Sequence, residues 1–285
     1  MKKFLRISPV DGMGGFGSGF FSNYRIIIND LVIHNRTKNE LIPYIDWGDT
    51  AWVEGYNPFI DTNLIKNGNP FDLWFEQIIP NENDIVYEHD LFGRHTIVNH
   101  SIDYFNDKTQ LNEQKMVDEK FLKLKKHIIN KIDLIYEKEF KNEIVLGVIA
   151  RGCEHNYHHP NYGIYSINDY ITEIKNILNK NPEITKLFLV SEDSNYINIL
   201  KEEFPKSYFI SDIFRRTNET IEYMNSVYLW PNVDRKRVNQ NELLGEETII
   251  QTKLLGKCDY LFGKHSGVFC GGILWGEKIK KICKI

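Results

Sequence analysis

Apolar and polar residues fall in blocks along this chain, and the period within the blocks changes where the secondary structure should change. Residues 3–8 read as a short strand, 11–19 as a glycine-rich loop, and Phe20 to about Ile33 as apolar positions at helical spacing. Leu41–Trp47 reads as the next strand. Strand, glycine loop, helix, strand is the opening of an α/β layer fold. Gly48–Asn69 is polar and rich in turn residues, and Pro70–Ile78 predicts a short helix carrying Phe71, Trp74 and Phe75. From Asn112 to Phe140 the charges are dense, but Phe121, Leu124, Ile128, Ile132 and Ile135 recur every three or four residues. That pattern predicts one long amphipathic helix with its lysines on the solvated face, leading from an N-terminal α/β domain (1–140) into a second domain (141–285).

The second half alternates strands and helices. Ile144–Ala150 is continuously apolar, as expected of a strand covered on both faces of a sheet. Asp169–Leu178 predicts a helix, Lys186–Val190 a strand, Ser194–Phe204 a helix and Tyr208–Ser211 a strand. Glu246–Lys257 then predicts a helix, Tyr260–Gly263 a strand and Gly267–Trp275 a final helix. This is a parallel, doubly wound, Rossmann-like pattern.

Composition narrows the function classes. A formal net charge of −4 leaves no basic field for nucleic acid. Cys153, Cys258, Cys270 and Cys283 form no CxxC pair and no zinc spacing. The opening MKKFLRISPVDG has too few apolar residues before Arg6 for a signal-peptide core. No apolar run approaches the ~18 residues of a membrane span. The expected address is therefore cytoplasmic. The aromatic share, 13%, suits sugar stacking but is first of all core material.

In a parallel sheet, ligands gather at the carboxyl ends of the strands. Three segments there carry polar groups: Ala150-Arg151-Gly152-Cys153-Glu154, Ser191-Glu192-Asp193 and Lys264-His265-Ser266-Gly267. Singly, each has an ordinary structural reading. Arg151 could be a salt-bridge partner, and Asp193 with Ser194, or Ser266, could cap the helix that follows. Jointly, a cation, an acidic pair and a Ser-Gly helix start suit a nucleoside diphosphate. In the N-terminal loop, Gly17, Ser18 and Gly19 fit neither a dinucleotide fingerprint nor a P-loop. They allow either a flexible turn or a close backbone approach to ligand. Glu88-His89-Asp90 and the histidines His155, His158 and His159 lack convincing ligand spacing, so no metal site is expected.

The segment Val145-Leu-Gly-Val-Ile-Ala-Arg-Gly-Cys-Glu154 resembles the strand-and-arginine motif, roughly V-H-x-R-[RG]-T-D, of α1,6-fucosyltransferases, rhizobial nodulation fucosyltransferases and protein O-fucosyltransferases. Lys186–Asp193 is similar to their hydrophobic strand followed by an acidic pair. Gly245–Ser266 resembles their third motif, in which a helix leads into S-x-C-D-Y-L and a serine. Gly19-Phe-Phe-Ser-Asn23 and Leu41–Trp47 resemble the opening of bacterial members.

The resemblance implies a GT-B-like fold, two Rossmann-like domains facing a central crevice, with the donor held by the C-terminal domain. It implies inverting, metal-independent transfer of fucose from GDP-fucose to a hydroxyl of a surface glycan or glycolipid. That substrate would allow peripheral association with the inner membrane face. Carried over, Arg151 binds the leaving diphosphate and Glu154 stands beside it as a catalytic candidate. Gly17, Ser18, Gly19, Glu192, Asp193, Gln251, His265, Ser266 and Gly267 join Arg151 in donor binding. The chain departs from the motifs at Ile149 for histidine, Gln251 for aspartate, Cys153-Glu154 for Thr-Asp, and Gly152 where some members carry a second arginine. Because the histidine and the aspartate are associated with guanine, a different nucleotide-activated sugar stays open. So does a non-catalytic nucleotide- or glycan-binding relative, and so does an unrelated nucleotide-using α/β enzyme.

Overall fold

The apolar run at 145–149 becomes the central strand of a five-stranded parallel sheet. In the computed structural model the described residues are 1–8, 20–38, 40–47, 69, 71–88, 107–152, 166–213, 215 and 240–284. The glycine loop with Gly17, Ser18 and Gly19 lies outside them, as do His89, Asp90, Cys153, Glu154 and the histidines at 155, 158 and 159. The described chain forms two compact units, Met1–Ile129 with Lys236–Glu246, and Asn130–Arg235 with Glu247–Ile285.

The first unit is built on a parallel sheet of β1 (Lys3–Ile7), β2 (Ile42–Ile45) and β4 (Ile85–Glu88), in the order β2-β1-β4. Helix α1 (Phe20–Arg36) and α2 (Phe71–Trp74) bring together a dense aromatic core. Phe20 stands edge-on to Trp47 and Trp74, while Phe71 stacks on Phe75 with ring centres 4.3 Å apart. All five rings are essentially inaccessible. The aromatic richness of this half is core material, each ring contributing about 1.5–3 kcal/mol by burial. Helix α3 (Lys108–Phe121) ties to α1 through a bidentate Arg36–Glu113 pair and a buried Gln114–Asn29 hydrogen bond of 3.1 Å.

The single long helix expected over 112–140 is in fact two. After α3 the chain extends through β5 (Lys123–Leu124) and resumes as α4 (Lys126–Glu139). The break contains neither glycine nor proline. It is made by pairing: β5 runs antiparallel to β3 (Phe75–Glu76), and Lys125 N donates to the Trp74 carbonyl at 2.9 Å. The buried positions still follow the pattern, with Leu124, Ile128 and Ile132 all below 10% exposure. The same pairing cuts short the helix expected over 70–78, which ends at Trp74.

In the second unit β6 (Val145–Ile149), β7 (Lys186–Val190), β8 (Ser207–Tyr208), β9 (Tyr260–Gly263) and β10 (Lys281–Lys284) lie in the order β10-β9-β6-β7-β8, all parallel. Helix α5 (Ile167–Lys180) is started by a Ser166–Asp169 capping box and buries Tyr170, Ile174 and Ile177 at a spacing of three and four. With α6 (Ser194–Glu203) it covers Leu146, Val148, Leu187, Leu189, Tyr260 and Phe262. The alternate strand residues face other partners. Phe188 packs on Phe140 at the end of α4, and Gly147 and Leu261 lie under Leu255 of α7 (Gln240–Gly256). Covering both faces explains why these strands read as unbroken apolar runs. Helix α8 (Gly267–Leu274) follows β9 directly. No helix among the described residues is long and apolar enough to cross a membrane.

Candidate functional site

The strand order has a chemical consequence. The first strand of the unit, β6, sits in the middle. The chain winds outward through β7 and β8, then returns to β6's other edge as β9 and β10. The winding direction therefore reverses between β6 and β9, and the crevice beyond the carboxyl ends of that pair is where such sheets bind ligands. The two strands approach closely there. Ile149 is in register with Gly263, and a Cβ on Gly263 would sit 2.6 Å from the Ile149 carbonyl oxygen. Glycine is required for the approach.

The chain leaving β6 is held at three successive amides. Ala150 N donates to the Val190 carbonyl at 2.9 Å, Arg151 N to the Tyr170 hydroxyl at 3.1 Å, and Gly152 N to Glu192 Oε1 at 3.0 Å. Tyr170 is fully buried among Tyr196 and Phe262, so the amide of Arg151 is anchored to the core. The Arg151 guanidinium lies 3.6 Å from the same Glu192 oxygen, with about a third of its side chain exposed. The fixed amides place the backbone of this cation, and Glu192 stands near it as a counter-charge, although Arg151 Nε makes no hydrogen bond.

The acidic pair divides its labour. Glu192 brackets the Arg151–Gly152 turn. Asp193, 3% exposed, caps α6 through Oδ1, which accepts from Asn195 N at 2.8 Å and Tyr196 N at 3.4 Å. Its other oxygen lies against Gly152, where an added Cβ would meet it at 2.7 Å. The capping reading of Asp193 is thus what the geometry displays, and it fixes glycine at 152.

Beyond β9, Ser266 is the N-cap of α8, its hydroxyl accepting from Phe269 N at 3.2 Å, and Gly267 is the first helical residue. His265 Nε2 lies 3.4 Å from the buried Cys270 thiol. The helix start presents backbone N–H groups on the same strand-end edge as Arg151. Gln251 lies on α7, where its amide donates to the Glu247 carbonyl one turn back at 3.3 Å. Ile149, at the motif's histidine position, is 2% exposed within β6.

One residue of the third segment gains a neighbour from the strand order. Lys264, between Gly263 and His265, is only 4% exposed, and burial, followed by repulsion from Arg151, lowers its pKa. Two cations therefore share the seam between β6 and β9. The lysine was visible in the sequence, but its neighbour was not, because only the strand order places 264 beside 151. Among the described residues, no group of three or more His, Cys, Asp or Glu side chains could hold a metal ion.

No family model matches the chain, and no curated protein matches it in sequence. Solved structures do match in fold. The NodZ α1,6-fucosyltransferase soaked with GDP-fucose superposes with a TM-score of 0.53 at 14% identity, over 96% of this chain and 93% of that one. The same enzyme co-crystallised with GDP gives 0.52 at 13% identity over 97% and 93%. Fucosyltransferase NodZ from Bradyrhizobium gives 0.52 at 13% identity over 97% and 94%. The chain thus has the GT-B-like α/β fold of these fucosyltransferases over nearly its whole length.

Proposed function

We propose that the chain is a glycosyltransferase whose donor is a nucleoside-diphosphate sugar, bound by the C-terminal unit at the carboxyl ends of β6 and β9, with GDP-fucose the first candidate. One observation carries this reading. Arg151, its amide bonded to Tyr170 and Glu192 close by as a counter-charge, stands at the point where the sheet's winding reverses. The likeness to fucosyltransferase structures, two of them described as holding GDP-fucose or GDP, supports the same donor class. The motif resemblance, carried by Arg151, Glu192-Asp193 and Ser266, does so independently.

The reaction is displacement at the anomeric carbon by an acceptor hydroxyl, with inversion. The bond to the leaving diphosphate breaks as the new glycosidic bond forms, and negative charge grows on the phosphate oxygens. A preoriented guanidinium stabilises that charge more in the transition state than in the ground state. It makes a divalent ion unnecessary for the leaving group. The acceptor we assign is a hydroxyl of a surface glycan or glycolipid, reached from the cytoplasm or the inner face of the membrane. Residues 1–140 form the acceptor side and 141–285 the donor side. Glu154, Gly17, Ser18 and Gly19 keep the roles that the resemblance implies.

A second reading concerns the base. Ile149 offers no hydrogen bond where the motif has histidine, and Gln251 spends its amide within α7. Both observations favour a donor base other than guanine. A melting-temperature series with GDP, UDP, CDP and dTDP decides between the two. At about 100 times Kd, the matching nucleotide stabilises by about 2.7 kcal/mol, or roughly 5 °C for a chain of this size. A response to none of the four overturns the donor site. The corresponding nucleotide sugar should then be consumed in the presence of EDTA. Binding without turnover marks a non-catalytic relative, and loss of turnover restored by one divalent ion overturns the metal-free mechanism.

A further inference from the structure

The far side of the same sheet carries a cation that the motif resemblance does not assign. We propose that Arg215 reads the base of the donor nucleotide, its guanidinium donating to a carbonyl or ring nitrogen on the base edge. The inference rests on the donor-site reading given above and adds the residue that sets its nucleotide preference.

The position comes from the strand order. β8 lies two strands from β6, with β7 between them. Its carboxyl end is therefore about 10 Å along the edge from the point where Arg151 leaves the sheet, at about 4.8 Å per strand. Diphosphate and base of one nucleotide are separated by a ribose, a spacing of that order. Arg215 folds back on the residues that follow β8. Its Nη2 donates to the Ile210 carbonyl at 2.8 Å, and its Nη1 lies 3.4 Å from the Ile213 carbonyl. Ile210 is two residues beyond Tyr208, as Val190 at the end of β7 is beyond its register partner Phe188. The guanidinium is 5.3 Å from the centre of the Phe209 ring, which Lys201 of α6 approaches at 5.2 Å. These contacts hold the group at the carboxyl end of β8.

What the guanidinium touches makes the position informative. Arg215 is partly buried, and burial, offset in part by Glu247 on α7, lowers its pKa. Its hydrogen bonds go to backbone carbonyls, and Nε is buried with no hydrogen-bond partner. Asp212, close by in sequence, is exposed and takes the Ser211 hydroxyl at 2.9 Å. A guanidinium has only donors, and a buried donor left empty raises the energy of the ligand-free protein. An acceptor on a ligand removes that cost. Glu247 stands one turn before Gln251, a position that the resemblance associates with the base. Gln251 spends its amide on the Glu247 carbonyl, and the side chain of Ile149, the other such position, offers no hydrogen bond. The base therefore needs its partner from another element. A planar fork lying against Phe209 suits the flat acceptor edge of a base.

The test uses the full chain with GDP, UDP, CDP and dTDP, which share the diphosphate and carry different bases. Arg215→Met removes the charge and the fork, and Arg215→Lys keeps the charge but loses the fork, should Met perturb folding. We expect the Kd of the preferred nucleotide to rise about 10- to 100-fold in either variant, with the least preferred nearly unchanged, so that the preference flattens. A preference kept by a folded variant overturns the assignment, whether affinity stays the same or falls equally for all four. An equal fall marks a cation that acts on the shared diphosphate or on the fold. An unsubstituted chain that binds all four alike overturns it too, because no residue then reads the base. If that chain binds none of them, the donor site itself is wrong and Arg215 falls with it. That outcome is distinct, because it appears before any substitution is made.

Discussion

At the scale of single residues, the site depends on how firmly Arg151 is aimed. Its amide is anchored on Tyr170 and its guanidinium faces Glu192. An arginine that only stabilised the fold would, on substitution, lower the melting temperature and leave turnover per folded molecule unchanged. An arginine that takes up charge on the leaving phosphate behaves differently. Arg151→Ala should lower kcat by about 10²-fold or more while donor affinity falls less, as with the loss of one preorganised oxyanion donor. Arg151→Lys keeps the charge but loses the paired geometry and should fall between. Melting temperature and turnover measured on one preparation separate the cases, and normal turnover by folded Arg151→Ala defeats the catalytic role. The sequence made Arg151 legible because it follows directly on an apolar strand. It made Asp193 legible as a cap by its place before Ser194. Lys264 was legible only as a charge, since its meaning comes from a neighbour that no local pattern names.

At the scale of elements, periodicity read the buried faces better than the boundaries. The helical repeat through Leu124, Ile128 and Ile132 was sound, yet the helix breaks at 122–125 because β3 offers a strand partner there. Tertiary pairing overrides helix propensity across two residues. β4 and β10 escaped the sequence reading for a related reason. Each is four residues long at the edge of its sheet, and Ile-Val-Tyr-Glu and Lys-Ile-Cys-Lys are too short for a period to declare itself. The end of α4 is held by charge as well as by packing. Lys186 at the start of β7 meets Glu139 at 2.7 Å, with both side chains about four-fifths covered. The hydrogen bond from Lys186 holds the Glu139 carboxyl below its ordinary pKa. The contribution is fully present above the ordinary glutamate range, near pH 4.3, and is lost as pH falls through the lowered folded value. Glu139→Gln should therefore cost at most about 1 kcal/mol at pH 7 and less at pH 3, closer to the protonated end of the lowered titration. Denaturant midpoints at the two pH values check this, and an equal cost at both would remove the ion pair as the cause.

At the scale of the whole molecule, the α/β class and the parallel second half were legible, because alternating strand and helix periods admit few other layers. The order of the strands was not, since a run such as Leu261–Phe262 does not say which edge it joins. The place of α4 matters for any attempt to divide the chain. Phe140 is completely buried against Phe188 and Tyr208, and Glu139 pairs with Lys186. A fragment beginning at residue 141 lacks both, whereas one beginning at 126 retains them. The shorter fragment should be less stable by at least the ~3–5 kcal/mol typical of deleting a buried phenylalanine side chain. Equal denaturation midpoints for 126–285 and 141–285 would show that α4 does not belong to the core of the second unit.

The returning strand also sets a timetable. Val145 N donates to an Asp259 carboxyl oxygen across 114 residues of chain, and the β6–β9 seam stands on contacts of that span. The β6–β7–β8 half pairs strands that follow one another in the chain, so it can form before β9 is synthesised. Once β6–β8 stand, the stretch left to close runs from 208 to 260, and its later synthesis places β9 after them. The β6–β9 seam beside Arg151 should therefore be the last part of the second unit to form. In pulse-labelled hydrogen exchange, the amides of β6 bonded to β7 should gain protection before those bonded to β9. A nucleotide present during refolding would act on that final step, speeding maturation by its grip on the seam and leaving the earlier half untouched.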